Sequence, residues 1–96
     1  MAIDPVLPVY RRSDLTIVRG EGCWLEDDHG KRYLDFASGI AVNALGHCHP
    51  HINAALHRQV DTLWYCSNLD LQPLQQKLAQ RLVEATFADT VFFGSS

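Results

Sequence analysis

The chain has 96 residues, 47% of them hydrophobic, and a formal net charge of −3. That length makes one small domain of ordinary globular composition. Eight Lys and Arg against eleven Asp and Glu leave no basic patch, so nucleic acid is excluded as the expected partner. No apolar run approaches the ~18 residues that suggest a membrane span. Met1-Ala2-Ile3-Asp4-Pro5 lacks the basic start and apolar core of a signal peptide. Cys23, Cys48 and Cys66 are odd in number and have no paired spacing, which suits a reducing compartment better than a disulfide framework. These features predict a soluble, cytoplasmic protein that binds no membrane.

Residues 1–14 read as an N-terminal arm. Pro5 and Pro8 each remove a ladder donor and favour an extended path. Arg11-Arg12 is too short a run to form an anion patch. Three short β-rich runs follow, at 15–18, 23–26 and 31–36, with glycines between them. Together they predict an antiparallel meander. Asp27-Asp28-His29-Gly30 is the second turn, with Gly30 free to take positive φ.

Residues 33–50 then change character. Ala37, Ile40, Ala41, Val42, Ala44 and Leu45 are apolar, and Gly39 and Gly46 interrupt them. A buried, glycine-hinged connection is the expectation, with Ser38 and Asn43 pairing part of its backbone. Such a loop is either a wall of a binding site or a plain buried link, and the residues alone do not separate the two.

Pro50 fits the first turn of a helix. Ile52, Ala55, Leu56, Val60 and Leu63 recur at helical spacing behind it. A second helix is expected with Asp70 as its cap and Pro73 in its first turn. Leu74, Leu78, Leu82 and Ala85 form its apolar stripe. Residues 89–93 are expected to be a buried strand that runs into Gly94-Ser95-Ser96. A strand that stops so near the end of the chain suggests a longer protein.

Few constellations carry chemistry. His47, Cys48, His49 and His51 are too contiguous for the separated ligand pairs of a structural zinc site. Histidines bonded to backbone groups are the plainer reading. Cys48 cannot pair well with a neighbouring histidine on an extended backbone. Lys31 follows a hairpin turn and is expected to be exposed, and Lys77 lies on a helix between Gln76 and Leu78; neither is expected to carry chemistry. A strand feeding Gly94-Ser95-Ser96 could present N–H and hydroxyl groups to a phosphate, although three small residues also make an ordinary turn.

The run Gly39-Ile40-Ala41-Val42-Asn43-Ala44-Leu45-Gly46-His47-Cys48-His49-Pro50 closely resembles the N-terminal signature of class III aminotransferases. These are pyridoxal-phosphate enzymes of fold type I. Val18-Arg19-Gly20-Glu21-Gly22, Trp64-Tyr65-Cys66-Ser67-Asn68-Leu69 and residues 84–93 agree in the right order, with most likeness to the acetylornithine group. The resemblance implies an α/β fold: a short antiparallel meander and two helices over residues 15–86, then at 87–96 the first strand and phosphate loop of the large cofactor-binding domain. It implies an N-terminal segment of an enzyme three to four times longer. The cofactor would be pyridoxal 5'-phosphate, and the full-length enzyme would be a homodimer.

The amino donor would be N-acetylornithine or a related ω-amino compound, and the acceptor 2-oxoglutarate. Succinylornithine, ornithine and 4-aminobutyrate are alternative donors. A small self-contained ligand- or metal-binding module is the alternative from another class. By the same resemblance Ser95 and Ser96 would hold the cofactor phosphate. Ser95 stands where the family usually has Asn, and Gly94 replaces a bulkier residue. Tyr10 and Ile40 would face substrate, with Ser67 and Asn68 bracing the same cavity. The lysine that binds the cofactor covalently would lie outside these 96 residues.

Overall fold

The computed structural model describes residues 3–95, and Ser96 therefore lies outside the described residues. The chain divides into two units, residues 1–57 and 58–96.

The first unit holds the expected meander. Its strands are β1 (Ile17–Glu21), β2 (Trp24–Asp27) and β3 (Arg32–Leu34), in sheet order β1-β2-β3. Both pairings are antiparallel, with Glu21 opposite Trp24 and Trp24 opposite Leu34. Two residues, Gly22 and Cys23, close the first hairpin, and Gly22 takes φ +58° there. A glycine at the first loop position suits the right-handed twist of the strands. A register shift between Ile17 and Arg19 bends β1 at Val18.

The second turn is organised by Asp27, which is only 6% exposed. One carboxylate oxygen accepts the N–H groups of His29 (3.0 Å) and Lys31 (2.9 Å). The other accepts the Tyr33 hydroxyl at 2.8 Å. Burial pushes this carboxyl up, but the Lys31 N–H, the Tyr33 hydroxyl and the His29 N–H outweigh it and hold it below the usual range. The same bond to Asp27 raises the Tyr33 phenol. Lys31 is exposed, as expected, with its ammonium 5.2 Å from the Tyr33 ring centre.

After β3 come α1 (Ser38–Ala41) and α2 (Pro50–Val60). Pro50 opens α2, where its missing N–H costs nothing. In the second unit, Trp64 closes that helix by donating its indole N–H to the Val60 carbonyl at 2.8 Å.

The second unit then carries α3 (Pro73–Ala85). Its N-cap is Gln72, not the expected Asp70. Pro73 at the first helical position decides this. It forces the residue before it out of the helical region, and Gln72 sits at φ −116°, ψ 119°. Asp70 is left in the preceding turn, its N–H bonded to the Ser67 carbonyl at 2.9 Å. Lys77 is exposed on α3.

Residues 89–93 form no strand, where one was expected. A strand needs a neighbour for its ladder, and the described residues of this unit form none. No hydrophobic residue among those described is buried. The apolar stripes of both long helices therefore remain open to solvent.

Candidate functional site

The loop between β3 and α2 is held by side-chain and backbone bonds at several points. It begins at Asp35, whose N–H donates to the Cys23 carbonyl at 2.8 Å. One Asp35 oxygen accepts the N–H groups of Ala37 (3.0 Å) and Ser38 (2.9 Å). The other lies 2.7 Å from Nε2 of His47. The Asp35 and His47 side chains are 8% and 19% exposed. The Ser38 N–H, the His47 ring and the Ala37 N–H hold the Asp35 carboxyl below its usual range against the opposing effect of burial. An ionised carboxylate has no proton to give, so Nε2 of His47 must carry the shared one.

His47 is itself anchored to the first hairpin. Its N–H donates to the Gly22 carbonyl at 2.8 Å, and its own carbonyl accepts the Gly22 N–H at 3.0 Å. Both flanks are glycines for steric reasons. A Cβ on Gly20 would lie 2.8 Å from Cγ of His47. One on Gly46 would lie 2.9 Å from the Gly22 carbonyl oxygen, at a backbone φ of +84°. The ring of His49 accepts the His51 N–H at 3.2 Å, so His49 caps backbone at the start of α2.

Between these anchors runs a single left-handed turn. Ser38, Gly39, Ile40 and Ala41 have φ of 53°, 61°, 63° and 62°. Ala37 and Val42 on either side return to φ −82° and −96°. The turn is closed by the Ala41 N–H to the Ala37 carbonyl (3.0 Å) and the Val42 N–H to the Ser38 carbonyl (2.9 Å). For L-residues this hand costs about 1–2 kcal/mol each, so Ser38, Ile40 and Ala41 together store about 3–6 kcal/mol. A β-branched residue in this region is a genuine outlier. Such strain concentrates at ligand sites and switches.

The expected buried connection is not observed. Ile40 is 90% exposed, and Val42 and Leu45 are exposed as well. The left-handed turn projects Ile40 outward, and no described residue packs over it. Cys48 is also exposed and has φ 54°, so the extended backbone expected there is absent.

The other predicted site residues are spread along the chain. Tyr10 lies exposed in the irregular arm of the first unit, and Ser95 is exposed in the irregular end of the second. Ser67 and Asn68 line an open depression of about 340 Å³ within the second unit, with Trp64, Cys66, Gln72 and Phe93. Inside it the Gln72 amide donates to the Cys66 sulfur at 3.1 Å.

The sequence reading missed the Asp35–His47 pair. One signal was available. Asp35-Phe36-Ala37-Ser38 places an aspartate three residues before a serine at a strand end, the spacing of a side-chain cap over a turn. Such a cap uses one carboxylate oxygen and leaves the other for a second partner.

Residues 8–96 match the family described as Aminotransferase class-III. The chain belongs to the class-III aminotransferase family. It is 53% identical over 95 residues to the acetylornithine aminotransferase of Agrobacterium fabrum, covering 99% of this chain and 24% of that protein. The Mesorhizobium japonicum acetylornithine aminotransferase is 59% identical over 87 residues, 91% of this chain and 22% of that protein. Among solved structures, the N-acetylornithine aminotransferase of Stenotrophomonas maltophilia superposes with TM-score 0.74 at 38% identity, over 77% of this chain and 20% of that one. The chain thus spans about a quarter of the length of these relatives.

Its meander and helices are the N-terminal part of the α/β aminotransferase fold, as the motifs implied. The strained turn coincides with the family signature that begins at Gly39. No helix among the described residues is long and apolar enough to cross a membrane.

Proposed function

We propose that this chain is the N-terminal segment of a pyridoxal-phosphate aminotransferase that moves an amino group from N-acetylornithine to 2-oxoglutarate. The observation that carries the reading is the class-III match over residues 8–96 together with 53–59% identity to acetylornithine aminotransferases, and the left-handed turn at Ser38–Ala41 lies where that family signature begins. Strain of this size persists only when it is over-determined by its surroundings, and it favours a site over a plain link. Its apex, Ile40, would form the wall against which the donor's carbon chain and acyl group lie. Tyr10 would face the same substrate.

The donor set at the end of the chain fits a phosphate. The hydroxyl of Ser95 and the N–H groups of Gly94 and Ser95 belong to no ladder, and the segment is exposed. Ser95, with Ser96 beyond the described residues, would hold the cofactor phosphate and orient it. Pyridoxal phosphate, when bound, supplies the electron sink for amino-group chemistry. Residues 87–96 would then open the large cofactor-binding domain, behind the arm at 1–14 and the segment at 15–86. The active form would be a cytoplasmic homodimer.

The test is a steady-state comparison of the full-length enzyme with pyridoxal phosphate and 2-oxoglutarate. N-acetylornithine, succinylornithine, ornithine and 4-aminobutyrate are offered in turn. The highest kcat/KM is expected for N-acetylornithine. A higher value for any other donor reassigns the substrate, and turnover of none of them refutes the reading.

A further inference from the structure

The left-handed turn carries stored strain, and the described residues show what holds it. Among the described residues, Asp35 is the only side chain that bonds the N–H groups of both Ala37 and Ser38, the two residues at which the turn begins. Asp35 is in turn fixed by His47, twelve residues later. The backbone of His47 is fixed by its reciprocal pair of bonds to Gly22, and its ring lies where a Gly20 side chain would be. The chain of contacts therefore runs from the rigid hairpin, through His47 and Asp35, into the turn that displays Ile40. No other side chain links the hairpin to the start of that turn among the described residues.

We infer that His47 is a positioning residue: through Asp35 it latches the left-handed turn and so sets where Ile40 stands against the amino donor. This rests on the proposal that the turn faces donor in an aminotransferase. The latch itself is a matter of this chain's own bonds. Removing His47 leaves the Asp35 carboxylate held by the Ala37 and Ser38 N–H groups alone, and its cap over the turn is weakened. The strained φ values then have less to offset them, and the turn opens more often. Hydrogen bonds to a charged group are worth enough to change such an opening equilibrium about tenfold or more.

The test uses the full-length enzyme with His47→Leu, His47→Gln and Gly20→Ala. Leu removes the donor, Gln retains an Nε2–H donor for Asp35, and the Gly20 variant crowds the ring without touching Asp35. Hydrogen exchange is measured first, at the Val42 and Asn43 amides with the α2 amides as reference. His47→Leu and Gly20→Ala are expected to speed exchange at Val42 and Asn43 about tenfold, with α2 unchanged and His47→Gln near the original rate. Kinetics follow with acetylated and free ornithine. KM for the acetylated donor is expected to rise more than KM for the free one in His47→Leu, with the smaller change in kcat, and His47→Gln should restore the ratio.

Unchanged exchange in the turn, or an equal rise throughout α2, overturns the latch. Faster exchange with equal losses for both donors overturns the link to donor choice. Faster exchange in a chain that transaminates neither donor even without substitution supports the latch and refutes N-acetylornithine as the donor beneath it.

Discussion

Substituting Gly46 tests how the site is built, because the structure separates the two costs of a side chain there. Gly46→Ala places an L-residue at φ +84°, which costs about 1–2 kcal/mol. It also drives a Cβ to 2.9 Å from the Gly22 carbonyl oxygen, 3.0 Å from its carbon and 3.1 Å from its Cα. All three are backbone atoms, so no side chain can swing away. Relief requires the loop to leave the hairpin, at the expense of the two bonds between Gly22 and His47. Each is worth about 0.5–1.5 kcal/mol net, giving a total loss of about 2–5 kcal/mol.

Gly30→Ala is the internal reference. Gly30 has nearly the same φ, +82°, but nothing lies within 4 Å of its would-be Cβ. It should cost only the backbone term, about 1–2 kcal/mol. The assay is urea unfolding of the full-length protein in both variants, with hydrogen exchange at the Gly22 and His47 amides. Gly46→Ala is expected to be the worse by about 1–3 kcal/mol and to lose protection at those two amides. Equal losses for the two variants, or undiminished protection at Gly22 and His47 in Gly46→Ala, would refute the steric argument.

Acid should loosen the hairpin and the loop together. The Asp27 and Asp35 carboxyls are lowered from 3.8 in the fold, so their contribution is complete above that value and fades as pH falls through the folded values. At the other end the Tyr33 phenol is raised from 10.0; its contribution holds below pH 10 and fades as pH rises through the folded value. Amide exchange of β2 against pH should show both limbs, and Tyr33→Phe should remove the alkaline one. Ile40→Gly relieves strain at φ 63° and is expected to stabilise the turn by up to about 1 kcal/mol after the entropy of glycine is counted. In the full-length enzyme it should also reduce discrimination between acetylated and free ornithine, by about 1–3 kcal/mol in transition-state binding; unchanged discrimination would remove Ile40 from the donor site. Residues 1–96 alone, with no buried apolar side chain among the described residues, should melt without a sharp transition and bind an apolar dye, and a cooperative melt would contradict this. Borohydride reduction after adding pyridoxal phosphate should label neither Lys31 nor Lys77 uniquely, as peptide mapping would show.

Much of the molecule was legible before any coordinates. The short β-rich runs and the turn glycines around Trp24 and Gly30 predicted the meander, because hairpin signals are local and each turn needs only its own residues. Pro50 and the spacing of Ile52, Ala55, Leu56 and Val60 placed α2 for the same reason. The motif from Gly39 to Pro50 identified the family that the comparison later showed. Tertiary structure decided what local pattern could not. The apolar run 40–45 reads as a buried link, yet its exposure depends on what packs over it, and a sequence window holds no such partner. The left-handed turn violates the ordinary preferences of Ser38, Ile40 and Ala41, so no propensity could have announced it. The Asp35–His47 pair joins side chains twelve residues apart, and only the path of the loop back to Gly22 brings their atoms to 2.7 Å.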